Sequence, residues 1–428
     1  DTENAFKLGP IIRKIEEGGN HVVKCNLGEP DFPLPEHIRE EIKHQLDADN
    51  THYSDPQGIV GLRRAIAGHL SRSRGIKVTP ERVVVFPGAK PPIGLCQQTY
   101  ANPGDEIIYP SPGFPIYESF TRYVGAEPIP LHLREEKGFS LDGEDLAPLI
   151  SKRTKLIFLN FPSNPTGGVA SRSQLAELAE VIERTAPEDV RVYSDEVYED
   201  ILFDGAEHHS IASIPGMETR TIIVSGVSKS YSWTGGRLGW AAFPTAEEAQ
   251  IFKNLNINYF SCMPPYNQEG ARVALQSPES RLAIERMVAA FEERRDVVVA
   301  GLNAIDGISC QNPRGAFYVF PNIAGVCGAL GAIDAWQALP TDLRQNSSPS
   351  TLFQRFLLLR YHLATMDRRS FGRIGSEGKH FLRLSIATGM DELKEGLSRI
   401  ERAVHDRRGF AEFLEEELAG AVVESEAV

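Results

Sequence analysis

Six short runs of almost unbroken apolar residues, separated by helical stretches, constrain this chain's fold more than any other feature. They occupy residues 83–86, 106–109, 156–159, 190–193, 221–224 and 240–243. A strand that is apolar on both faces belongs in a sheet covered on both sides. Between the runs lie segments such as Ser173 to Thr185, where Leu175, Leu178, Val181 and Ile182 share one helical face. Strand alternating with helix predicts an α/β protein, a three-layer sandwich around a mostly parallel central sheet. Ligands of such sheets sit beyond the carboxyl ends of the strands, so the residues just after each run are the first candidates for a site.

The two ends of the chain read differently. A Pro- and Gly-marked loop, Leu27-Gly28-Glu29-Pro30-Asp31-Phe32-Pro33, lies between two helical stretches. A long charged helix follows Gln276, and strand candidates at 316–320 and 380–385 come after it. A smaller α+β domain built from both termini is expected. The division is an N-terminal arm with part of that domain at 1–46, a large domain at 47–290 and the C-terminal remainder at 291–428. Residues 325–350, rich in Gly, Ala, Ser and Asn, read as an insertion or mobile loop. An acidic amphipathic helix is expected from Phe410 to Leu418, ahead of a polar tail.

With 428 residues the chain has room for two cores. It carries 45 Lys and Arg against 58 Asp and Glu, a net charge of −13. That surface repels phosphate backbones and anionic lipids, which argues against nucleic-acid or membrane-surface binding as a main role. Five scattered cysteines, none in a C-x-x-C pair, argue for a reducing compartment and against a disulfide scaffold or zinc ribbon. No apolar run is long enough to span a bilayer. The start, Asp1-Thr2-Glu3-Asn4, has no basic and apolar leader pattern, so a cytoplasmic location is expected. P-loop, zincin, serine-hydrolase and dinucleotide motifs are absent. The one histidine pair, His208-His209, reads as a surface turn rather than a metal site, and no metal is expected.

The segment from Ser225 to Trp240 is the most informative. Lys229 falls just past the strand Ile222-Ile223-Val224, among Ser228, Ser230, Tyr231, Trp233 and glycines, with almost no other charge. A lone lysine is by default a solvated amine, but these are poor surroundings for one. Held there, its amine has a depressed pKa and can form a Schiff base. Arg237, further along, is suited to clamping a phosphate. Gly235, Gly236 and Gly239 would let backbone approach a ligand closely.

This S-K-x-x-x-x-x-G-x-R-x-G pattern resembles the pyridoxal-phosphate lysine motif of the class I and II aminotransferases, fold type I. Other landmarks follow in the expected order. Asn164-Pro165-Thr166-Gly167 is similar to the family's N-P-T-G turn, and Asp195-Glu196-Val197-Tyr198 to its D-E-x-Y element. Pro87-Gly88-Ala89-Lys90 resembles the glycine turn under the phosphate. Leu27-Gly28-Glu29-Pro30 and Phe381-Leu382-Arg383-Leu384-Ser385 match two substrate-side landmarks. The likeness runs from about residue 7 to about residue 405.

The resemblance implies pyridoxal 5'-phosphate as cofactor, with Lys229 as the catalytic Schiff-base lysine. Asp195 would keep the ring nitrogen protonated; taken alone it reads as a helix N-cap. Tyr198 and Asn164 would hydrogen-bond the ring's phenolic oxygen, where by themselves they read as a core residue and a turn residue. Phe114 would stack on the ring, or simply anchor its loop. Ala89 and Lys90, opening a helix, would join Ser228 and Arg237 around the phosphate. Tyr53 resembles the tyrosine that reaches the phosphate from a neighbouring subunit, which implies a homodimer with shared active sites; its alternative is a surface tyrosine. Arg383 would clamp the substrate α-carboxylate beside Gly28 and Asn164, a buried ion pair being the competing reading.

Three departures stand out. Gly226 replaces a serine, the helix after the glycine turn begins Lys90-Pro91-Pro92, and Arg368-Arg369 replace small residues. The activity implied is transfer of an amino group between an L-amino acid and a 2-oxo acid such as 2-oxoglutarate. Lys90 matches a position where some relatives hold a distal carboxylate, so aspartate or glutamate is the first-choice donor; it could equally lie over the phosphate cup or face solvent. Aromatic or alanine-type donors, a lyase on the same scaffold, and a silent regulatory module are the competing readings.

Overall fold

The computed structural model describes residues 4–426, with side chains through residue 416. Among these residues seven strands form the central sheet: β1 (Val83–Phe86), β2 (Glu106–Ser111), β3 (Glu127–His132), β4 (Thr154–Asn160), β5 (Arg191–Asp195), β6 (Thr221–Gly226) and β7 (Gly239–Ala242). Their spatial order is β1-β7-β6-β5-β4-β2-β3. The β2, β3, β4, β5 and β6 pairings are parallel, and β7 runs antiparallel to both β1 and β6. All six apolar runs are strands of this sheet, and helices cover it, as an α/β sandwich requires.

Alternation along each strand explains the two covered faces. Val83 and Val85 of β1 face one core with Ile223, Leu238, Trp240 and Ala242. Val84 and Phe86 face the other with Ile107, Phe158, Tyr193, Ile222 and Val224. Helices built from apolar stripes close both sides, the segment Arg172–Thr185 burying the Leu175, Leu178, Val181 and Ile182 that its periodicity singles out. Its capping box, Ser171 with Gln174, supplies the first-turn hydrogen bonds.

Strand β3 is not foreseen by the sequence pattern, because Glu127-Pro128-Ile129-Pro130 reads as a poor strand. Its place explains it: β3 is an edge, where proline is tolerated. The strand expected at 316–320 is confined to β8 (Tyr318–Val319), and that at 380–385 to β10 (Leu382–Ser385). With β9 (Met366–Asp367) they form a three-stranded antiparallel sheet, order β9-β10-β8.

The expectation of a loop at 325–350 is corrected. Helices span Ala324–Ala329, Ala332–Ala338 and Thr341–Gln345, before the helix Pro349–Tyr361. Alanine favours helix, and the small residues serve close packing. A Cβ on Gly325 would stand 2.6 Å from the Cα of Gly307. The indole of Trp336 donates to the Ser347 carbonyl at 3.1 Å, tying the segment down. The helix expected from Phe410 runs Arg407–Glu426 and buries Phe410 and Phe413 against Phe356; the side chain of Leu418 lies outside the described residues.

Contacts divide the chain into two compact units. One holds Glu29–Ala290 and Arg314–Ala316, with the seven-stranded sheet; the other holds the segment ending at Gly28, Phe291–Pro313 and the chain from Phe317 on. Among the described residues no helix is long and apolar enough to cross a membrane.

Candidate active site

Most candidate residues converge at one end of the seven-stranded sheet. β1, β2, β4, β5 and β6 all point their carboxyl ends the same way, and β7 begins there. Gly88, Ala89 and Lys90 follow β1, Phe114 follows β2, Asn164 follows β4, Asp195 ends β5, Ser228 and Lys229 follow β6, and Arg237 precedes β7.

Asp195 is the electrostatic centre of this cluster. It is buried, and burial pushes its carboxyl up to about 6, partly offset by a hydrogen bond from the Tyr117 hydroxyl. That hydroxyl donates to Asp195 Oδ2 at 2.6 Å, and the Val197 amide approaches Oδ1 at 3.5 Å. The Tyr117 ring stacks on Phe158 at 4.7 Å and meets Phe114 edge-on at 5.9 Å. Asp195 therefore does more than cap a turn: an acid held in an apolar site favours a cationic partner.

Asn160 couples two landmarks. Its amide donates to the Asp195 carbonyl at 3.1 Å, while its Oδ1 accepts from the Asn164 amide N–H at 3.0 Å. Sequence reasoning singles out neither Tyr117 nor Asn160. The available signal is an Asn at the last position of a buried strand, and a Tyr one helical turn after Phe114. Tyr198 is buried, and Lys229 Nζ lies 5.9 Å from its ring centroid.

Beneath the Asp195–Tyr198 turn lies a buried ionic cluster. Arg74, on the helix Val60–Arg74, donates to Glu196 Oε2 at 2.6 Å and also to Glu199. Ser194 and Ser210 hydroxyls donate to Glu196 Oε1 at 2.7 and 2.5 Å, and Ser225 to Glu199 Oε1 at 2.8 Å. His69 contacts Glu199 at 3.4 Å. His208 stands 3.1 Å from Glu196, which corrects its reading as a surface turn residue. Although burial opposes ionisation, Arg74 holds the Glu196 carboxyl down at about 2.

On the other side of Lys229, Gly88 adopts φ 91°, and a Cβ there would meet Arg237 at 2.4 Å. Only glycine lets the guanidinium lie over this turn. Arg237 is exposed, adopts the left-handed φ of 47°, and donates to the Thr234 carbonyl at 2.6 Å. Pro91 and Pro92 open the helix Pro91–Tyr100 without N–H groups, so amide donors at this end come from the turn before it. Lys90 Nζ stands 5.6 Å from the Phe114 ring centroid. The glycine expectation needs revision. A Cβ at Gly239 would meet the Gly88–Ala89 backbone at 2.5 Å and one at Gly236 the Trp233 ring at 2.2 Å, so those clearances serve protein packing; Gly235 is open.

Tyr53 is 90% exposed, on a loop held by Ser54 Oγ to the Met263 carbonyl at 3.1 Å. In the other unit Arg383, on β10, is buried and donates to the Asn26 carbonyl. A Cβ on Gly28 would stand 1.9 Å from the Tyr318 hydroxyl.

A doubly covered, mostly parallel sheet thus carries a lysine, a buried acid and a glycine–arginine turn at its carboxyl edge. The comparisons place the chain more narrowly. It matches the family model for aminotransferase class I and II over residues 20–400. It is 36% identical over 390 residues to the aspartate/prephenate aminotransferase of Cereibacter sphaeroides, covering 91% of this chain and 92% of that protein. It is 32% identical over 403 residues to aromatic-amino-acid aminotransferase 2 of Thermococcus litoralis, covering 93% and 96%. The crystal structure of the aspartate aminotransferase from Rhizobium meliloti matches with a TM-score of 0.84 at 33% identity, covering 95% and 97%. The chain belongs to the class I and II aminotransferases, and it is a transaminase.

Proposed function

We propose that the chain binds pyridoxal 5'-phosphate covalently through Lys229 and moves amino groups from aspartate or glutamate to a 2-oxo acid. The observation that carries this reading is the buried Asp195 carboxylate, pinned by Tyr117 in the same strand-end cluster that carries Lys229. The donor set fits the cofactor: an acid for the ring nitrogen, and a glycine turn under Arg237 for the phosphate. Ser228, Ala89 and Lys90 would complete the phosphate cup, Phe114 would cover the ring, and Asn164 and Tyr198 would hold its phenolic oxygen.

Pyridoxal phosphate, when bound, supplies an electron sink for the pair left as Cα loses its proton. The rest is the work of the chain. Arg383, beside Gly28, would hold the donor's α-carboxylate and so orient the Cα–H bond. The Lys229 amine would take the proton from Cα as general base and, as general acid, deliver it to the cofactor's carbon instead of back to Cα. Asp195 keeps its negative charge fixed through the cycle, with the Tyr117 O–H in support. Water would supply the keto oxygen as the donor leaves as a 2-oxo acid with its amino group left behind on the cofactor, and a second 2-oxo acid would take that group by the reverse steps.

Lys90 is the proposed partner for the donor's distal carboxylate, which favours acidic donors. The aromatic aminotransferase of Thermococcus litoralis, similar to this chain over most of its length, supports aromatic donors as the second reading. A panel of donors against 2-oxoglutarate decides between them. Aspartate and glutamate are expected to have the highest kcat/KM, and Lys90→Ala to lower it about tenfold for them, as loss of one charged hydrogen bond does, while sparing phenylalanine. Preference for phenylalanine, or indifference of aspartate to Lys90→Ala, rejects the acidic-donor reading. Release of 2-oxo acid without any acceptor would favour a lyase.

A cytoplasmic homodimer goes with this reading. Ile257 and Tyr259 are exposed along with Tyr53. The Asn256 side chain donates to the Pro56 carbonyl at 3.0 Å, so these residues border one loop region. Apolar exposure of that kind suits a subunit interface.

A further inference from the structure

Arg383 lies against two aromatic rings of its own unit. Its guanidinium carbon is 4.5 Å from the ring centroid of Tyr318 and 4.9 Å from that of Phe371. The strand register explains the first contact. Tyr318 pairs with Ser385 across β8 and β10, which puts Arg383 at the diagonal position on the same face. All three side chains are buried. The hydroxyl of Tyr318 in turn fills the space over Gly28, where a Cβ would stand only 1.9 Å away. One side chain thus touches both Arg383 and Gly28.

The second ring is held by the loop that departs from the family pattern. Arg368, buried, donates to the carbonyls of Phe371 at 3.4 Å and Gly372 at 2.9 Å. The Asp367 carboxylate accepts from the Ser370 amide at 3.1 Å and from Thr351 Oγ1 at 2.5 Å. These bonds fix the backbone on either side of Phe371.

We propose that Tyr318 is a positioning residue for Arg383: its ring fixes the guanidinium in place and its hydroxyl reserves the space over Gly28. A guanidinium recognises a carboxylate through donors in its own plane. Ring contact with the group restricts rotation of that plane without competing for those donors. Tyr318 therefore sets how well the α-carboxylate is gripped. The inference rests on the reading of Arg383 as the carboxylate clamp.

The test is a double-mutant cycle in the holoenzyme, reading KM and kcat for the donor and the Kd of a non-reacting dicarboxylate by calorimetry. Tyr318→Leu is expected to raise KM and Kd about tenfold, the size of a desolvated cation–π contact, with a smaller change in kcat. On an Arg383→Ala background the same change is expected to have almost no further effect. Tyr318→Phe, which keeps the ring, recovers most of the loss. Gly28→Ala weakens binding with Tyr318 present and does so less when combined with Tyr318→Phe, because the oxygen at 1.9 Å is gone and only the ring carbon at 3.0 Å remains to give way; this pair serves if Tyr318→Leu fails to fold. Equal losses on both backgrounds would overturn the proposal while leaving the clamp intact. An unchanged Kd in Arg383→Ala itself would overturn the clamp and the proposal together.

Discussion

Burial holds the Asp195 carboxyl up at about 6, and the O–H of Tyr117 pulls the other way. Because the folded value lies above the unfolded one, the stability this group contributes without cofactor is present at low pH and lost as pH rises through about 6. Replacing it with Asn removes that titration. In thermal melts of cofactor-stripped protein, Asp195→Asn should gain on wild type as pH rises from about 4 to 7, approaching about 3 kcal/mol. Parallel curves would contradict the buried-acid account. Lys229 and Arg237 are singled out in the sequence by residue type just past a recognisable strand, and Asp195 by its likeness to the D-E-x-Y element; the structure places all three at the same end of the sheet. Tyr117 is not singled out: it reaches a carboxylate 78 residues further along the chain, and only the completed sheet brings the two together.

At the scale of elements, the Arg74–Glu196–Glu199 cluster ties the helix Val60–Arg74 to the turn that carries Asp195 and Tyr198. Truncating Arg74 leaves two buried carboxylates without their cation, a loss of about 3–5 kcal/mol. Glu196 has a folded value lowered to about 2, so its stabilisation is present above the unfolded value near 4.5 and fades as pH falls toward 2. Wild type is therefore expected to lose Tm across that window. Arg74→Met should start with a lower Tm at pH 7 and show a flattened acid limb. Equal acid slopes in the two proteins would refute the cluster's role. The six central strands are legible because unbroken apolar runs have few other uses in an α/β chain. β3 is hidden by prolines that only an edge tolerates. Residues 325–350 look like a loop because glycine and alanine serve close helix packing as well as mobility, and composition does not separate the two.

At the scale of the molecule, the net charge of −13 fits a protein that handles small molecules rather than nucleic acid. Tyr53 is 90% exposed, and the proposed homodimer would have it complete a neighbour's phosphate cup. Light scattering should give about twice the chain mass of 47.3 kDa. Tyr53→Phe should weaken cofactor retention about tenfold without changing that mass, as loss of one hydrogen bond to a charged group does. A monomeric holoenzyme with full activity would refute the shared-site arrangement.

The account turns on Lys229, and the most direct measurement is borohydride reduction of the holoenzyme followed by peptide mapping. One reduced pyridoxyl adduct, on the peptide bearing Lys229, is the predicted result, with no adduct and no transamination in Lys229→Ala. An adduct on another lysine, or wild-type turnover in that variant, would contradict it.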